Sequence, residues 1–163
     1  NIDLMLLAGH ETTSNQIALG ILLLLLHPDQ RDEIVADPSL VKNAVEESLR
    51  FLTILHYQAI RVAVEDADIN GFQVKKGEGV LALLAAANRD PARFADPEEF
   101  NIHREGARHH VAFGFGIHQC LGQPLARLEL QIIFSALFRR FPSIRLAVPL
   151  EELEFNSGAA VYG

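Results

Sequence analysis

The hydrophobic period of the chain changes at Gln58, and that change sets the fold class. Up to about Leu52, apolar residues recur at helical spacing. Residues 1 to about 26 form one apolar stretch broken by Gly9-His10-Glu11-Thr12-Thr13-Ser14-Asn15-Gln16, and read as a single long helix. His27-Pro28-Asp29 ends it and opens a short helix to about Ala36. Asp37-Pro38-Ser39 stops that helix, with Ser39 as the expected N-cap of a third from about Leu40 to Leu52. From Gln58 the pattern becomes short and β-branched or alternating, in Gln58–Val64, Asp68–Val74 and Gly77–Ala85, with turns at Gly71 and Lys76-Gly77.

Asn88 to His110 is rich in Pro, Asp and Arg and reads as an irregular, packed loop. A glycine-rich segment follows, then a helix from about Leu121 to Phe141, which Pro142-Ser143 breaks. Ile144–Val148 and Leu153–Gly163 read as strands with a tight turn. The expected fold is mainly α with small β-sheets, in a single domain over residues 1–163. The chain opens inside an apolar pattern with no cap, so it reads as a fragment of something longer.

Charge and cysteine usage narrow the function classes. A formal net charge of −7 disfavours broad nucleic-acid binding, although basic residues gather between Arg104 and Arg127. One cysteine excludes an intrachain disulfide and points to the cytoplasm. Asn1-Ile2-Asp3 does not resemble a signal peptide, and the apolar run Ile17–Leu26 is too short to span a bilayer.

That single cysteine stands in Phe113-Gly114-Phe115-Gly116-Ile117-His118-Gln119-Cys120-Leu121-Gly122-Gln123, at the mouth of a helix. Free N–H groups and the positive end of the helix dipole lower a thiol pKa there. Such a residue is a nucleophile, a metal ligand or a small buried apolar group. Gly114, Gly116 and Gly122 strip side chains from both flanks, so a flat object can approach. A tetrahedral zinc site lacks a second cysteine. Haem iron needs one axial protein ligand, and cysteinate is among the known choices.

Phe113-x-x-Gly116-x-His118-x-Cys120-x-Gly122 resembles the haem-binding signature of the cytochrome P-450 monooxygenases. The resemblance makes Cys120 the axial thiolate ligand to the iron of haem b. It places Phe113 beside the sulfur, Gly116 and Gly122 in the loop, and His118 on a haem propionate. Apart from the motif, His118 reads as a loop histidine bonded to backbone.

Two other segments carry the same resemblance. Ala8-Gly9-x-Glu11-Thr12 matches the family's pattern on the long helix over the distal haem face, so Thr12 and Glu11 are the expected proton-guiding pair. By its residues alone, Thr12 can turn its hydroxyl to the Ala8 carbonyl and bend the helix. The plain alternative is a helix packed through small residues. Glu47 and Arg50 share a helix face, and an isolated pair there contributes little. The resemblance adds Arg104 as a third member and gives the set a structural role, with Glu47 preferred to Glu46. It also assigns Arg61 to a haem propionate, and it implies that Leu52–Ile60 and Ser157–Ala160 border the substrate. His103, His109 and His110 fit no standard metal spacing.

The resemblance covers essentially the whole chain but only the C-terminal part of the family's fold. It looks most like soluble bacterial, actinomycete-type members, which implies dioxygen, a small organic substrate and a ferredoxin-type electron donor. Arg108 and Arg127 are candidates for docking an acidic partner, or are plain surface arginines. Two rivals stay open. A cysteine hydrolase would use Cys120 with His118 or His110 as base, and leaves Gly9, Glu11, Thr12 and Arg61 unexplained. A truncated haem-binding relative would have no catalysis.

Overall fold

The computed structural model describes residues 2–55, 59–155 and 161–162. Helix α1 spans Ile2–Leu26. Its C-terminal half is buried through Gln16, Leu19, Gly20, Leu23 and Leu24, whereas Leu4, Met5, Leu6 and Leu7 point outward. Pro28 opens α2, Pro28–Ala36, where its missing N–H costs nothing. Asp37, not Ser39, then caps the chain: its carboxylate accepts the Ser39 N–H at 2.9 Å and starts a short 3-10 turn, Pro38–Leu40. The carboxylate is the better placed acceptor because it precedes the proline. That turn runs into α3, Val41–Phe51.

The extended region forms two antiparallel pairs. Strand β1, Ala59–Val62, pairs with β4, Gly79–Ala82, setting Arg61 opposite Val80. Between them β2, Ala67–Ile69, and β3, Phe72–Val74, make a tight hairpin. Its turn needs positive φ at Asn70 (51°) and Gly71 (88°), the geometry that favours Asn-Gly. The short helix α4, Leu84–Ala87, leads into the irregular segment. Helix α5, Gln123–Arg140, closes the core with Leu130, Phe134 and Phe138 on one face.

The main core joins α1, α2, α3 and α5 through Leu24, Ile34, Val45, Leu130 and Phe134, with Phe100 and Ile102 from the irregular segment. Helices α1 and α5 meet at Gly20, where an added Cβ would lie 2.5 Å from Phe134 Cζ.

Ile144–Val148 is not a strand. The chain turns after Phe141, with Ile144 N–H on the Phe141 carbonyl, and then runs irregularly to a 3-10 turn at Leu150–Glu152. A strand exists only where a second one offers hydrogen bonds, and prolines at 142 and 149 bracket this segment. Of the expected C-terminal strand, Leu153–Phe155 is irregular, and Val161 bridges Leu55. Ser157–Ala160 lies outside the described residues, as do 56–58 of the Leu52–Ile60 segment.

Candidate functional site

A cavity of about 600 Å³ opens between α1, the sheet pair β1–β4 and the loop before α5. Helix α1 contributes Ala8, Thr12, Thr13 and Gln16. The sheet side contributes Arg61 and Ala82, and the loop contributes Phe113, Gly114, His118 and Cys120. Ile54 and Leu55 of the expected substrate-bordering segment line it as well. The sequence therefore brings Cys120, His118, Phe113, Arg61, Ala8 and Thr12 to one space across more than a hundred residues of chain.

The loop geometry follows from its glycines. Gly114 and Gly116 have φ of 74° and 84°, which a side chain would strain. Gly114 N–H donates to the Val111 carbonyl at 2.8 Å, and Gln119 N–H to the Gly116 carbonyl at 3.0 Å. These two turns bring Cys120 N–H back onto the Phe113 carbonyl at 3.0 Å. Gly122 then caps α5, two residues beyond the thiol. The Cys120 side chain is exposed.

The loop suits a flat cofactor with one axial protein ligand. A Cβ built at Gly114 or Gly116 would meet nothing within 4 Å, and one built at Gly122 would stand 3.8 Å from Cys120 Sγ. The sulfur thus faces open space beside bare backbone. Among the described residues no group of three or more His, Cys, Asp or Glu is gathered to hold a metal ion, so the thiol is a lone donor. One soft donor beside open space matches axial ligation of a haem better than a multi-ligand metal cage.

Thr12 Oγ1 donates to the Ala8 carbonyl at 2.6 Å, the four-residue back-bond expected from the sequence. Its lone pairs remain available within the cavity wall. Glu11 is exposed and does not line the cavity, and neither does Gly9. Thr13 and Gln16, which the sequence reading left unassigned, do line it. Gln16 is buried and donates to Ser48 Oγ at 3.3 Å, so its amide anchors α1 to α3. Arg61 is exposed and donates to the Ile60 carbonyl next to it.

Behind the loop lies the carboxylate–arginine set. Arg50 grips Glu47 with two parallel bonds, Nε to Oε2 at 2.7 Å and Nη2 to Oε1 at 2.8 Å. Arg104 Nε adds a third at 3.0 Å to Oε1, and Asn101 N–H a fourth at 3.0 Å. Both Glu47 and Arg50 side chains are fully buried. The remaining guanidinium protons meet carbonyls of the irregular segment: Asn88, Pro97 and Glu99 from Arg50, and Ala95, Asp96 and Glu99 from Arg104. A segment without regular structure is thereby fixed by charge-assisted bonds. Burial at this cost is tolerable because every donor is met.

Glu46, the neighbour set aside in favour of Glu47, has its own partners. Arg127 donates Nε to its Oε1 at 2.7 Å and Nη2 to its Oε2 at 3.0 Å, and His110 Nε2 lies 3.1 Å from Oε2. Burial pushes the Glu46 carboxyl up, but hydrogen bonds from His110 and Arg127 outweigh it and hold the group at about 2. Arg108 is exposed, whereas Arg127 is partly buried in this cluster.

The family model described as Cytochrome P450 matches residues 1–149. The chain belongs to the cytochrome P450 family. It is 54% identical over 160 residues to Cytochrome P450-SU2 of Streptomyces griseolus, covering 98% of this chain and 40% of that one. It is 50% identical over 160 residues to the Vitamin D3 dihydroxylase of the same organism, covering 98% of this chain and 39% of that one. The crystal structure of cytochrome P450 MoxA from Nonomuraea recticatena superposes with a TM-score of 0.95 at 54% identity, over 98% of this chain and 40% of that one. The chain thus spans about 40% of the length of the P450 relatives it matches. Membership in the P450 family implies a haem cofactor. Among the described residues no helix is long and apolar enough to cross a membrane.

Nothing in the geometry favours the hydrolase reading. His110, one candidate base, spends Nε2 on Glu46 and accepts the Ala112 N–H on Nδ1. Among the described residues no histidine is hydrogen-bonded to Cys120.

Proposed function

We propose that the protein carrying this chain is a haem-thiolate monooxygenase, and that residues 1–163 are the C-terminal part of its single catalytic domain. The reaction takes dioxygen, two electrons, two protons and an organic substrate to a hydroxylated or epoxidised product and water. One observation carries this reading: Cys120 and Thr12 line the same cavity from different elements. A thiolate on one wall and a hydroxyl on the other are what oxygen activation between them requires.

Bound haem b would supply the redox chemistry, with the Cys120 thiolate favouring O–O cleavage. Cys120, set by its N–H bond to the Phe113 carbonyl, would hold the iron. His118 and Arg61 line the cavity as polar, positively chargeable groups and would bind the carboxylates of the macrocycle. Thr12 Oγ1 holds a proton in the apolar wall and can pass it on while Glu11, exposed next to it, exchanges with water. Ile54 and Leu55 give the substrate an apolar border. Glu47, Arg50 and Arg104 act structurally, by fixing the irregular segment. A ferredoxin-type donor and a cytoplasmic location fit the likeness to actinomycete P450 proteins.

The test is the ferrous–carbon monoxide difference spectrum of the complete polypeptide, expressed with ample haem. A strongly red-shifted Soret band that Cys120→Ser abolishes is expected. A haem-free protein, or a band typical of histidine ligation, overturns the reading.

A further inference from the structure

The cluster at Glu46 lies directly behind the cysteine loop. Arg127 stands on the second turn of α5, and its fork embraces the Glu46 carboxylate on α3. Its remaining nitrogen, Nη1, donates to Gln123 Oε1 at 2.7 Å, three residues after Cys120. The guanidinium lies over the Phe113 ring, 4.7 Å from its centroid. The His110 ring approaches the same phenyl group at 5.9 Å. Phe113 is the residue whose carbonyl receives the Cys120 N–H.

His110 is fixed in one tautomer. Ala112 N–H donates to its Nδ1 at 3.1 Å, so the ring proton sits on Nε2 and is directed at Glu46. The histidine side chain is 1% exposed. Its Nε2 is thereby oriented toward the Glu46 carboxylate. Three of the five N–H groups of Arg127, one on each nitrogen, already have acceptors within the chain, which fixes the plane of the guanidinium.

We propose that Arg127, anchored by Glu46 and His110, is a positioning residue for the Cys120 loop and not an arginine that docks an electron donor. Its planar fork is held flat by Glu46 and Gln123 and so presents one face to Phe113. The Phe113 ring lies against both the guanidinium and the imidazole, and the Phe113 backbone carbonyl keeps Cys120 N–H in register. Lysine keeps the charge but has neither fork nor face.

The inference rests on the haem-thiolate reading, and one experiment separates the two. The complete haem-loaded polypeptide is compared with Arg127→Lys by potentiometric titration, thermal melting and affinity for a reduced ferredoxin. The expected result is a reduction potential displaced to higher values with the ferredoxin affinity within twofold of the parent. A loosened Phe113 lets water reach the sulfur, which favours the more negatively charged reduced centre. An unchanged potential with ferredoxin binding weakened tenfold or more overturns the inference and makes Arg127 a docking residue. An unchanged potential with only a lowered melting temperature also overturns it. Should Arg127→Lys fail to take up haem, the double variant Glu46→Gln/Arg127→Gln, which leaves no buried charge unmatched, carries the same titration with the same expected displacement. A parent without the cysteinate band overturns the functional reading and this one with it, whereas a parent with the band and an unmoved variant overturns this one alone.

Discussion

The backbone N–H of Val111 donates to the side-chain oxygen of Asn88 at 2.7 Å. The same amide donates through Nδ2 to Thr53 Oγ1 at 2.7 Å, and the Asn88 carbonyl accepts from Arg50 Nη1 at 2.9 Å. One buried side chain therefore ties the end of α3 to the strand of chain that enters the cysteine loop. Replacing Asn88 with alanine leaves the Val111 N–H without its acceptor and removes the donor to Thr53 Oγ1, whose own hydroxyl still reaches the Leu49 and Arg50 carbonyls. The expected loss is about 2 kcal/mol or more, the cost of stranding buried polar groups. Urea unfolding of the complete protein measures it, and Thr53→Ser, which keeps the hydroxyl, is expected to lose much less.

Glu47 and Glu46 are adjacent, yet their substitutions differ in consequence. Glu47→Gln strands two guanidinium groups in a site where the carboxylate is fully buried. A loss of about 3–5 kcal/mol is expected, seen as collapsed soluble yield and haem content. Glu46 and Arg127 reach solvent at their edges, so Glu46→Gln is expected to be milder in the same assays.

Acid sensitivity follows from Glu46. Its folded value of about 2 lies below the ordinary 4.5, so the stabilisation is complete above pH 4.5 and fades as pH falls toward 2. The gap in unfolding midpoint between the parent and Glu46→Gln is expected to close over that window. A gap that stays constant from pH 6 to pH 2.5 would contradict the charge-paired geometry.

Gly20 predicts a packing defect. A methyl group there would overlap the Phe134 ring and come within 3.2 Å of Ser48 Oγ. Gly20→Ala should cost about 1–3 kcal/mol through overpacking, despite alanine's better helix propensity. Adding Phe134→Leu should recover part of the loss, as contacting sites couple.

Thr12 predicts a kinetic phenotype. Thr12→Val preserves shape and removes the hydroxyl, so product formation should fall about 100-fold or more if Thr12 relays protons. The melting temperature should barely move, because the lost bond is to a carbonyl of its own helix. Thr12→Ser should restore most turnover, measured as product formed per dioxygen consumed.

The turns of the cysteine loop are legible in its glycines, whereas the buried Glu47–Arg50–Arg104 set is expected only from the family resemblance, since an isolated pair at that spacing says little. The period of α3 and the prolines at 28 and 142 mark helix limits locally, and α1 is legible from its long apolar run. Asn88 and the Glu46–His110–Arg127 cluster are not legible. Their partners are 23 to 81 residues away, and a loop asparagine or a surface-looking arginine carries no local mark of burial. Ile144–Val148 misled for the converse reason: its β-branched composition satisfies a local pattern, but pairing depends on what lies beside it. Ser39 lost its capping role to Asp37 through a side-chain bond that composition alone does not rank.

The thiol at the loop is the chain's only one, and it is exposed at the cavity wall. Residues 1–163 therefore carry a single addressable sulfhydryl, at the cavity wall. Within residues 1–163, one equivalent of a maleimide dye would modify one position. On the haem-thiolate reading, bound cofactor would shield this thiol from the dye, whereas a free thiol left unlabelled in cofactor-free chains is open to air oxidation and chain-to-chain disulfide coupling.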